Sequence, residues 1–188
     1  HTTLATDLVG KTVLITGMGP IGLCAISVAK AAGATEVYVT DVSDYRLDLA
    51  CKLGADLAIN PKREDPVAAV REATGGVGAD VLLEMSGSPS AIVQGFDALR
   101  KAGFASLLGI PSEPIKLDLA NAIIFKSATV QGINGRRMFE TWFQARSLLK
   151  AGLDITPVIT HKMSLWDDLD EGMELMISGQ CGKVILYP

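Results

Sequence analysis

The chain has 188 residues, of which 48% are hydrophobic, and a formal net charge of −4. This length suits one domain with a short appendage, and the hydrophobic content is sufficient for a core. The acidic balance, without any block of Lys and Arg, argues against a nucleic-acid-binding surface and favours a small-molecule partner. The uncharged run from Val13 to Ala29 contains three glycines and a proline, which argues against a membrane-spanning helix.

The cysteines and the first residue indicate the cellular context. Cys24, Cys51 and Cys181 lie far apart and form no C-x-x-C pair, so they predict neither a zinc site nor a disulfide framework. We expect them to serve packing in a reducing cytoplasm. The chain starts at His1 and shows no signal-peptide pattern, and we expect it to begin inside a longer protein.

Residues 12–41 read TVLITGMGPIGLCAISVAKAAGATEVYVTD and predict a strand, a glycine turn, a helix and a second strand. An apolar, β-branched run turns at Gly17, where a Cβ atom would clash. Gly19 allows the backbone to approach a pyrophosphate, and Gly22 keeps the helix close to the strand. Pro20 suits the helix start, because its missing N–H is not needed there. The free N–H groups and positive dipole end of this helix favour phosphate binding.

Asp41 closes the second strand, 36–40, and lies nineteen residues after Gly22. A carboxylate at this position accepts hydrogen bonds from adenosine ribose hydroxyls and repels a 2′-phosphate, so the pattern favours NAD over NADP. The alternative without function is a βαβ turn that binds nothing. An alternative of another class is a methyltransferase that binds S-adenosylmethionine, which also pairs a glycine turn with this acid. The G-x-G-x-x-G spacing favours a dinucleotide.

Strands and helices continue to alternate beyond the first unit, which predicts an α/β fold with a parallel, doubly wound, six-stranded Rossmann sheet. The predicted helices are 43–53, 66–73, 89–100 and 139–149, and the predicted strands are 57–59, 80–85, 104–108 and 128–133, with a short edge strand at Ile115–Leu117. Strand 158–163, helix 165–177 and strand 183–186 form a different strand–helix–strand tail. We therefore divide the chain into a Rossmann domain, 1–154, with lead-in segment 1–10, and a tail, 155–188.

The stretches VLITGMGPIG, DVSDYRLDLACKLGAD, IIFKSATVQGINGRRMFETW and GLDITPVITHKMS with GQCGKVIL carry a family likeness. The chain resembles the cofactor domain of zinc-dependent medium-chain dehydrogenases, most closely their threonine-oxidising branch, for which GRRMFETW is the most discriminating stretch. The resemblance implies NAD as cofactor and, in the complete enzyme, oxidation of the 3-hydroxyl of L-threonine. A polyol or simple alcohol substrate is the sister alternative, and a nonenzymatic NAD-binding module is the third.

The resemblance also implies which parts are missing. The catalytic zinc ligands, the structural four-cysteine lobe and the proton relay would lie in an N-terminal catalytic domain that precedes His1. We therefore expect no catalytic residue and no metal ligand in this chain, zinc only in the complete enzyme, and cofactor binding without turnover. The tail would complete the absent domain, so we expect apolar tail residues such as Val158 and Ile177 to be exposed or to pack on another copy.

The expected cofactor residues follow the strand ends, where ligands of such sheets bind. Asp41 would hold the adenosine ribose, and Arg46 would either cover the adenine or ribose face or remain a solvated helix charge. The expected pyrophosphate loop is Gly17, Gly19, Pro20, Ile21 and Gly22. The expected contacts after the fourth, fifth and sixth strands are Ser86 and Gly87; Leu108, Gly109 and Ile110; and Ile133, Asn134 and Gly135, the last three offering backbone groups to the nicotinamide carboxamide.

Three further features complete the expectations. The family commonly pairs edge strands between subunits, so we predict a cytoplasmic homodimer through Ile115–Leu117, with no nucleic acid and no membrane as partner. Glu84 interrupts an apolar strand and needs a partner, which would be a domain interface or a cation. His161 has no Cys, Ser or acid at a recognised spacing, which favours a structural or surface role.

Overall fold

The computed structural model describes residues 1–188 and contains a six-stranded sheet in which every pair of neighbours is parallel. The strand order is β3-β2-β1-β4-β5-β6, so the chain reverses direction across the sheet between β1 and β4. The strands are β1 (Thr12–Thr16), β2 (Glu36–Thr40), β3 (Leu57–Ile59), β4 (Ala79–Glu84), β5 (Leu99–Leu107) and β6 (Thr129–Gly132). The predicted doubly wound Rossmann sheet is confirmed.

Helices connect the strands and begin at residues suited to that position. The helices are α1 (Pro20–Ala31), α2 (Asp44–Lys52), α3 (Pro66–Ala73), α4 (Pro89–Ala98) and α5 (Glu140–Lys150). Three of them start with proline, and the side chains of Ser43 and Asp65 accept backbone N–H bonds at the starts of α2 and α3, as N-cap residues do. None of the helices combines the length and the apolarity that a membrane crossing needs.

The sheet separates two apolar cores, because successive strand residues point to opposite faces. Val13 and Ile15 of β1 contribute to one core together with α1 and α2. Leu14, which lies between them, contributes to the other core together with Phe96 of α4. Both faces of β1 and β4 are therefore covered, as expected for a parallel sheet.

The connection between α4 and β5 differs from the prediction. The helix ends at Ala98 and β5 begins at Leu99 with no loop between them, so the predicted helix 89–100 is too long and the predicted strand 104–108 starts too late. The pairing of β5 with β4 contains a register shift between Ala79 and Val81. This irregularity explains why periodicity alone could not place the boundary.

Ile115–Leu117 is not a strand in this chain, contrary to the prediction. The segment is irregular, and its apolar side chains, Ile115 and Leu117, pack against the core on the α4 side of the sheet. A strand needs a neighbour for its backbone hydrogen bonds. The segment pairs with no strand of the chain, although β6 at the edge of the sheet is paired on one side only.

The tail contains the predicted strand–helix–strand unit. A 3₁₀ turn, Thr156–Val158, leads into β7 (Ile159–Ser164), α6 (Leu169–Ser178) and β8 (Lys183–Tyr187). The strands β7 and β8 pair in parallel as a separate two-stranded sheet. The division of the chain at 154/155 stays a prediction.

The tail packs on the Rossmann domain. Val158 is 3% exposed and belongs to the core beneath α1, whereas Ile177 is 83% exposed. The expectation of exposure or of packing on another copy was therefore wrong for Val158, because the first turn of the tail reaches the existing core. Cys181, just before β8, is 1% exposed.

Candidate functional site

The candidate site lies at the carboxyl ends of the strands, near the gap between the loops that leave β1 and β4. The chain crosses to opposite sides of the sheet from these two neighbouring strands, which opens a crevice between the loops. Such a reversal point is where open α/β sheets bind ligands. All residues of the predicted site lie in loops or helix starts that follow β1, β2, β4, β5 and β6.

The glycines after β1 are required by their surroundings. Gly17 has φ +87°, and a Cβ atom there would lie 2.7 Å from Cα of Ser86. A Cβ atom on Gly22 would overlap the carbonyl oxygen of Gly17. By contrast, nothing lies within 4 Å of a Cβ atom placed on Gly19. Gly17 and Gly22 therefore pack the loop, and Gly19 leaves open room beside the helix start.

That open room faces unpaired backbone donors. Gly19 is the N-cap of α1, and Pro20 is its first residue. The N–H of Leu23 donates to the carbonyl of Gly19 at 3.0 Å, so the N–H groups of Ile21 and Gly22 precede the first hydrogen bond of the helix. Together with the helix dipole, these two donors form a site for an anion.

Asp41 stands beside this loop and is held by two backbone groups. The N–H of Met18 donates to Asp41 Oδ2 at 2.6 Å, and the N–H of Ser43 donates to Oδ1 at 2.8 Å. A carboxylate oxygen can accept two hydrogen bonds, so each oxygen keeps one lone pair free. The acid is thus fixed in orientation while it remains able to accept two hydroxyl groups.

A cavity of about 270 Å³ lies next to Asp41. It is lined by Gly17, Thr40, Asp41, Val42, Arg46, Pro61, Ser86, Ser88, Ser90, Ala91 and Gln94. Four of these, Gly17, Asp41, Arg46 and Ser86, were predicted from the sequence. Pro61 follows β3, and Gln94 lies on α4. The rule that ligands bind at the carboxyl ends of strands could have found Pro61, whereas Gln94 depends on the direction of α4.

Arg46 borders this cavity, but its side chain is anchored to the tail. The guanidinium Nε donates to the carbonyl of Cys181 at 3.3 Å, and the guanidinium carbon lies near Gly179. Neither of the predicted roles, a stacked cover or a purely solvated charge, describes this contact. One edge of the guanidinium is used by the tail, while the residue still lines the cavity.

The loops after β4 and β5 pack directly on each other. Gly87 has φ +67°, and a Cβ atom there would lie 2.6 Å from the carbonyl oxygen of Ile110. A Cβ atom on Gly109 would overlap the backbone N of Gly87. The N–H groups of Leu108 and Gly109 both donate to the carbonyl of Glu84, at 2.9 and 3.1 Å. The predicted residues of these two loops therefore form one wall of the crevice.

Glu84 lies under this wall and is fully buried. Its Oε1 accepts the backbone N–H groups of Ser86 and Gly87, at 2.9 and 3.0 Å, and the hydroxyl of Thr16 at 3.3 Å. The hydroxyl of Ser86 also donates to Oε1. The partner of Glu84 is thus neither a cation nor a domain interface, which were the two possibilities considered from the sequence.

The residues after β6 continue the same edge of the sheet. Ile133 is buried, and its N–H donates to the carbonyl of Leu107 at 2.8 Å. Asn134 and Gly135 are exposed, and the carbonyl of Gly135 lies 3.2 Å from a ring nitrogen of His1. Ile133 therefore fixes the strand end, and the next two residues present exposed backbone.

No group of three or more His, Cys, Asp or Glu side chains is arranged to hold a metal ion. His161 lies in β7 and contacts the hydroxyl of Thr160 at 2.8 Å, far along the chain from the crevice. Burial raises the pKa of the Cys24 thiol on α1, so this cysteine is poorly suited to act as a nucleophile. The chain thus offers a crevice with anion and hydroxyl-binding groups, but no assembled metal centre.

Comparisons with known proteins identify the family. A profile described as zinc-binding dehydrogenase matches residues 20–151, the range from the start of α1 to the end of α5. The chain belongs to the zinc-binding dehydrogenase family. Membership removes the methyltransferase alternative, because the match covers the glycine helix, the acid and all four later strands of the sheet.

Curated relatives of this zinc-binding dehydrogenase chain include L-threonine 3-dehydrogenases. It is 53% identical over 190 residues to an L-threonine 3-dehydrogenase of Symbiobacterium thermophilum, and 47% identical over 189 residues to that of Bacillus subtilis; each alignment covers 100% of this chain and 54% of the relative. The chain therefore spans about half the length of the curated relatives it matches.

Solved structures of the family share the fold. The 2R,3R-butanediol dehydrogenase of Bacillus subtilis superposes with a TM-score of 0.89 at 32% identity, covering 100% of this chain and 54% of that one. An alcohol dehydrogenase of Thermotoga maritima superposes with a TM-score of 0.87 at 32% identity, covering 100% and 53%. The tail is included in this full coverage, so its position on the Rossmann domain is shared with these dehydrogenases.

Proposed function

We propose that this chain is the NAD(H)-binding part of a zinc-dependent L-threonine 3-dehydrogenase. The observation that carries the proposal is Asp41, whose two oxygens are oriented by backbone N–H groups and keep free lone pairs beside an anion-binding helix start. This combination matches a ligand with a diphosphate next to a ribose that has free hydroxyls. It disfavours a ligand with a 2′-phosphate, because that group would meet the carboxylate.

The residues of the crevice then have distinct tasks. Ile21 and Gly22 bind the pyrophosphate through backbone N–H groups, with Gly19 leaving the room to do so. Asp41 binds the adenosine ribose, and the 270 Å³ cavity receives the adenosine. The loops with Gly87 and Ile110 direct the remainder of the cofactor toward the end of β6, where the backbone after Ile133 holds the carboxamide. A cofactor held there would supply the hydride acceptor for oxidation of an alcohol.

The substrate and the metal belong to the complete enzyme in this proposal. Threonine as substrate is supported by relatives named L-threonine 3-dehydrogenase, to which this chain is 53% and 49% identical. The chain matches 54% of the length of these relatives. The zinc ion polarises the hydroxyl of the substrate and needs three protein ligands with an open position. The 188 residues provide no such set, so this chain binds cofactor without oxidising threonine.

A calorimetric titration of the 188-residue chain with NADH, NADPH and S-adenosylmethionine tests the cofactor assignment. The proposal expects binding of NADH, weaker or undetectable binding of NADPH, and none of S-adenosylmethionine. Equal binding of NADH and NADPH would remove the ribose role of Asp41. Binding of S-adenosylmethionine alone would refute the cofactor assignment altogether.

A hybrid enzyme tests whether this chain can serve as the cofactor half of an L-threonine 3-dehydrogenase. The chain would replace the matching portion of the Symbiobacterium thermophilum relative, and the hybrid would be assayed with L-threonine and with 2,3-butanediol. The second substrate represents the sister candidate, a polyol or alcohol dehydrogenase, which is favoured by the superposition on 2R,3R-butanediol dehydrogenase. NAD-dependent oxidation of butanediol in preference to threonine would favour the sister candidate.

Assembly and location remain part of the same proposal. We expect a cytoplasmic homodimer in which Ile115–Leu117 of two copies pair as strands, since this irregular segment has no strand partner within the chain. Light scattering coupled to size exclusion measures the mass in solution. Elution solely as a monomer at micromolar concentration would rule out pairing by this chain alone.

A further inference from the structure

Glu84 occupies an unusual position for an acid. It ends β4, the central strand beside β1, and is fully buried next to its register neighbour on β1, the buried Thr16. A buried carboxylate without a partner is strongly unfavourable, yet no cation pairs with it. Its stabilisation must come from hydrogen-bond donors. All of these donors belong to the ends of strands and the loops that follow them.

The two carboxylate oxygens have different surroundings. Four donors lie within hydrogen-bonding range of Oε1, the hydroxyls of Thr16 and Ser86 and the backbone N–H groups of Ser86 and Gly87, so they share its two lone pairs. Oε2 accepts no hydrogen bond and is inaccessible to solvent. It packs against Gly109, where an added Cβ atom would overlap it. Gly109 therefore leaves space that both the backbone of Gly87 and Oε2 of Glu84 occupy.

These contacts join three strand ends. Thr16 ends β1, Ser86 and Gly87 form the turn after β4, and Gly109 follows β5. The turn after β4 is also the surface on which Gly17 packs. A neutral or shorter side chain would leave the part-buried N–H of Ser86 and the buried N–H of Gly87 with a weaker acceptor or none, and unsatisfied donors are unfavourable. The acid thus fixes both loops that border the crevice.

We propose that Glu84 is a positioning residue for the cofactor: its Oε1 atom holds the turn of Ser86 and Gly87 in the place that NADH requires. The inference rests on the proposed function, because the benefit of a fixed turn is realised when the cofactor binds. Glu84 itself touches no cofactor atom in this role. Its effect reaches the ligand through Gly17, Ser86 and Gly87.

The test compares Glu84→Ala, Glu84→Gln and Leu82→Ala in the 188-residue chain. Leu82 is the matched control, since it lies two residues earlier on the same face of β4, is equally buried, and packs on Gly95 of α4. Two quantities are measured at a temperature where each variant is folded. One is amide exchange at Ser86 and Gly87 in the free chain by NMR, and the other is NADH affinity by calorimetry.

Glu84→Ala is expected to speed exchange at both amides and to weaken NADH binding about tenfold, the equivalent of one lost hydrogen bond. Glu84→Gln keeps a neutral acceptor and should give intermediate values, with about a threefold weaker affinity because charged acceptors bind more strongly. Leu82→Ala should lower thermal stability with little effect on either quantity. Should Glu84→Ala fail to fold, the Gln variant carries the same comparison.

Two results overturn the inference. One is exchange at Ser86 and Gly87 that is unchanged in the Glu84 variants, and the other is a loss of NADH affinity no greater than that of Leu82→Ala. A wild-type chain that does not bind NADH would instead refute the proposed function. The exchange rates, which need no cofactor, would then still show whether Glu84 orders the turn.

Discussion

Replacing Asp41 by Ser should reverse much of the preference for NADH over NADPH. Each Asp41 oxygen has one free lone pair in the structure, because Met18 and Ser43 occupy the others. Two charge-assisted hydrogen bonds to ribose hydroxyls contribute about 1.5–3 kcal/mol each. Taking the lower value for both, NADH affinity should fall by about 3 kcal/mol, or roughly 100-fold. NADPH should bind more tightly, since removing a charge about 4 Å from a phosphate relieves about 1–4 kcal/mol of repulsion.

Fluorescence titration with NADH and NADPH gives both dissociation constants for wild type and variant. Asp48→Asn is the control, because Asp48 is exposed on the same α2 helix and its replacement removes one charge without touching the crevice. We expect the ratio of the two affinities to change more than 100-fold in Asp41→Ser and to stay constant in the control. A ratio that is unchanged in Asp41→Ser, with the fold intact by circular dichroism, would refute the ribose assignment.

Three further perturbations test other parts of the structure. Gly22→Ala should lower both the melting temperature and NADH affinity, because the added Cβ atom overlaps a loop carbonyl. Gly19→Ala adds a Cβ atom in open space and should change stability by less than about 0.5 kcal/mol. It should still weaken NADH binding, because that space is where the pyrophosphate would lie. In urea titrations, Val158→Ala should lower the free energy of unfolding by about 1.5–2 kcal/mol. Ile177→Ala, at an exposed site, should leave the free energy of unfolding nearly unchanged. Equal effects of the two substitutions would mean that the tail does not dock. Burial raises the pKa of the Cys24 thiol, so its alkylation should reach half-maximal rate at a higher pH in the folded chain than in urea. Coincident pH profiles of alkylation under the two conditions would contradict the burial.

The core of the fold was predictable because its signals are local. The βαβ unit combines an apolar run, a glycine turn and an acid at a fixed distance, and each of these parts reflects a steric or electrostatic requirement that the structure contains. The glycines Gly17 and Gly22 pack where the sequence placed them. Strands β3 and β6 were found from length and flanking residues, and the tail strands from their alternation with a helix.

The sequence is least informative where a residue depends on partners that the local pattern does not encode. Ile115–Leu117 has the alternation of a strand, but whether it forms one depends on a neighbour for its backbone, and it pairs with no strand of this chain. Arg46 has its donor bonded to Cys181, 135 residues away, which no helical pattern encodes. Glu84 was recognised as unusual from its apolar surroundings. Three of its four donors lie two or three residues later, in a turn whose conformation the strand pattern does not encode, and the fourth is Thr16 on the neighbouring strand.

The corner between β2 and α2 links the tail to the ribose site. The N–H of Ser43 orients Asp41 Oδ1, and the hydroxyl of Ser43 donates to the carbonyl of Gly179 at 3.0 Å. Arg46 binds the carbonyl of Cys181 from the first turn of the same helix. A displacement of the tail would therefore act on the donor that orients the acid, without any tail residue touching the ribose. This connection gives the tail a role within the Rossmann domain that is separate from its predicted role in completing a catalytic domain.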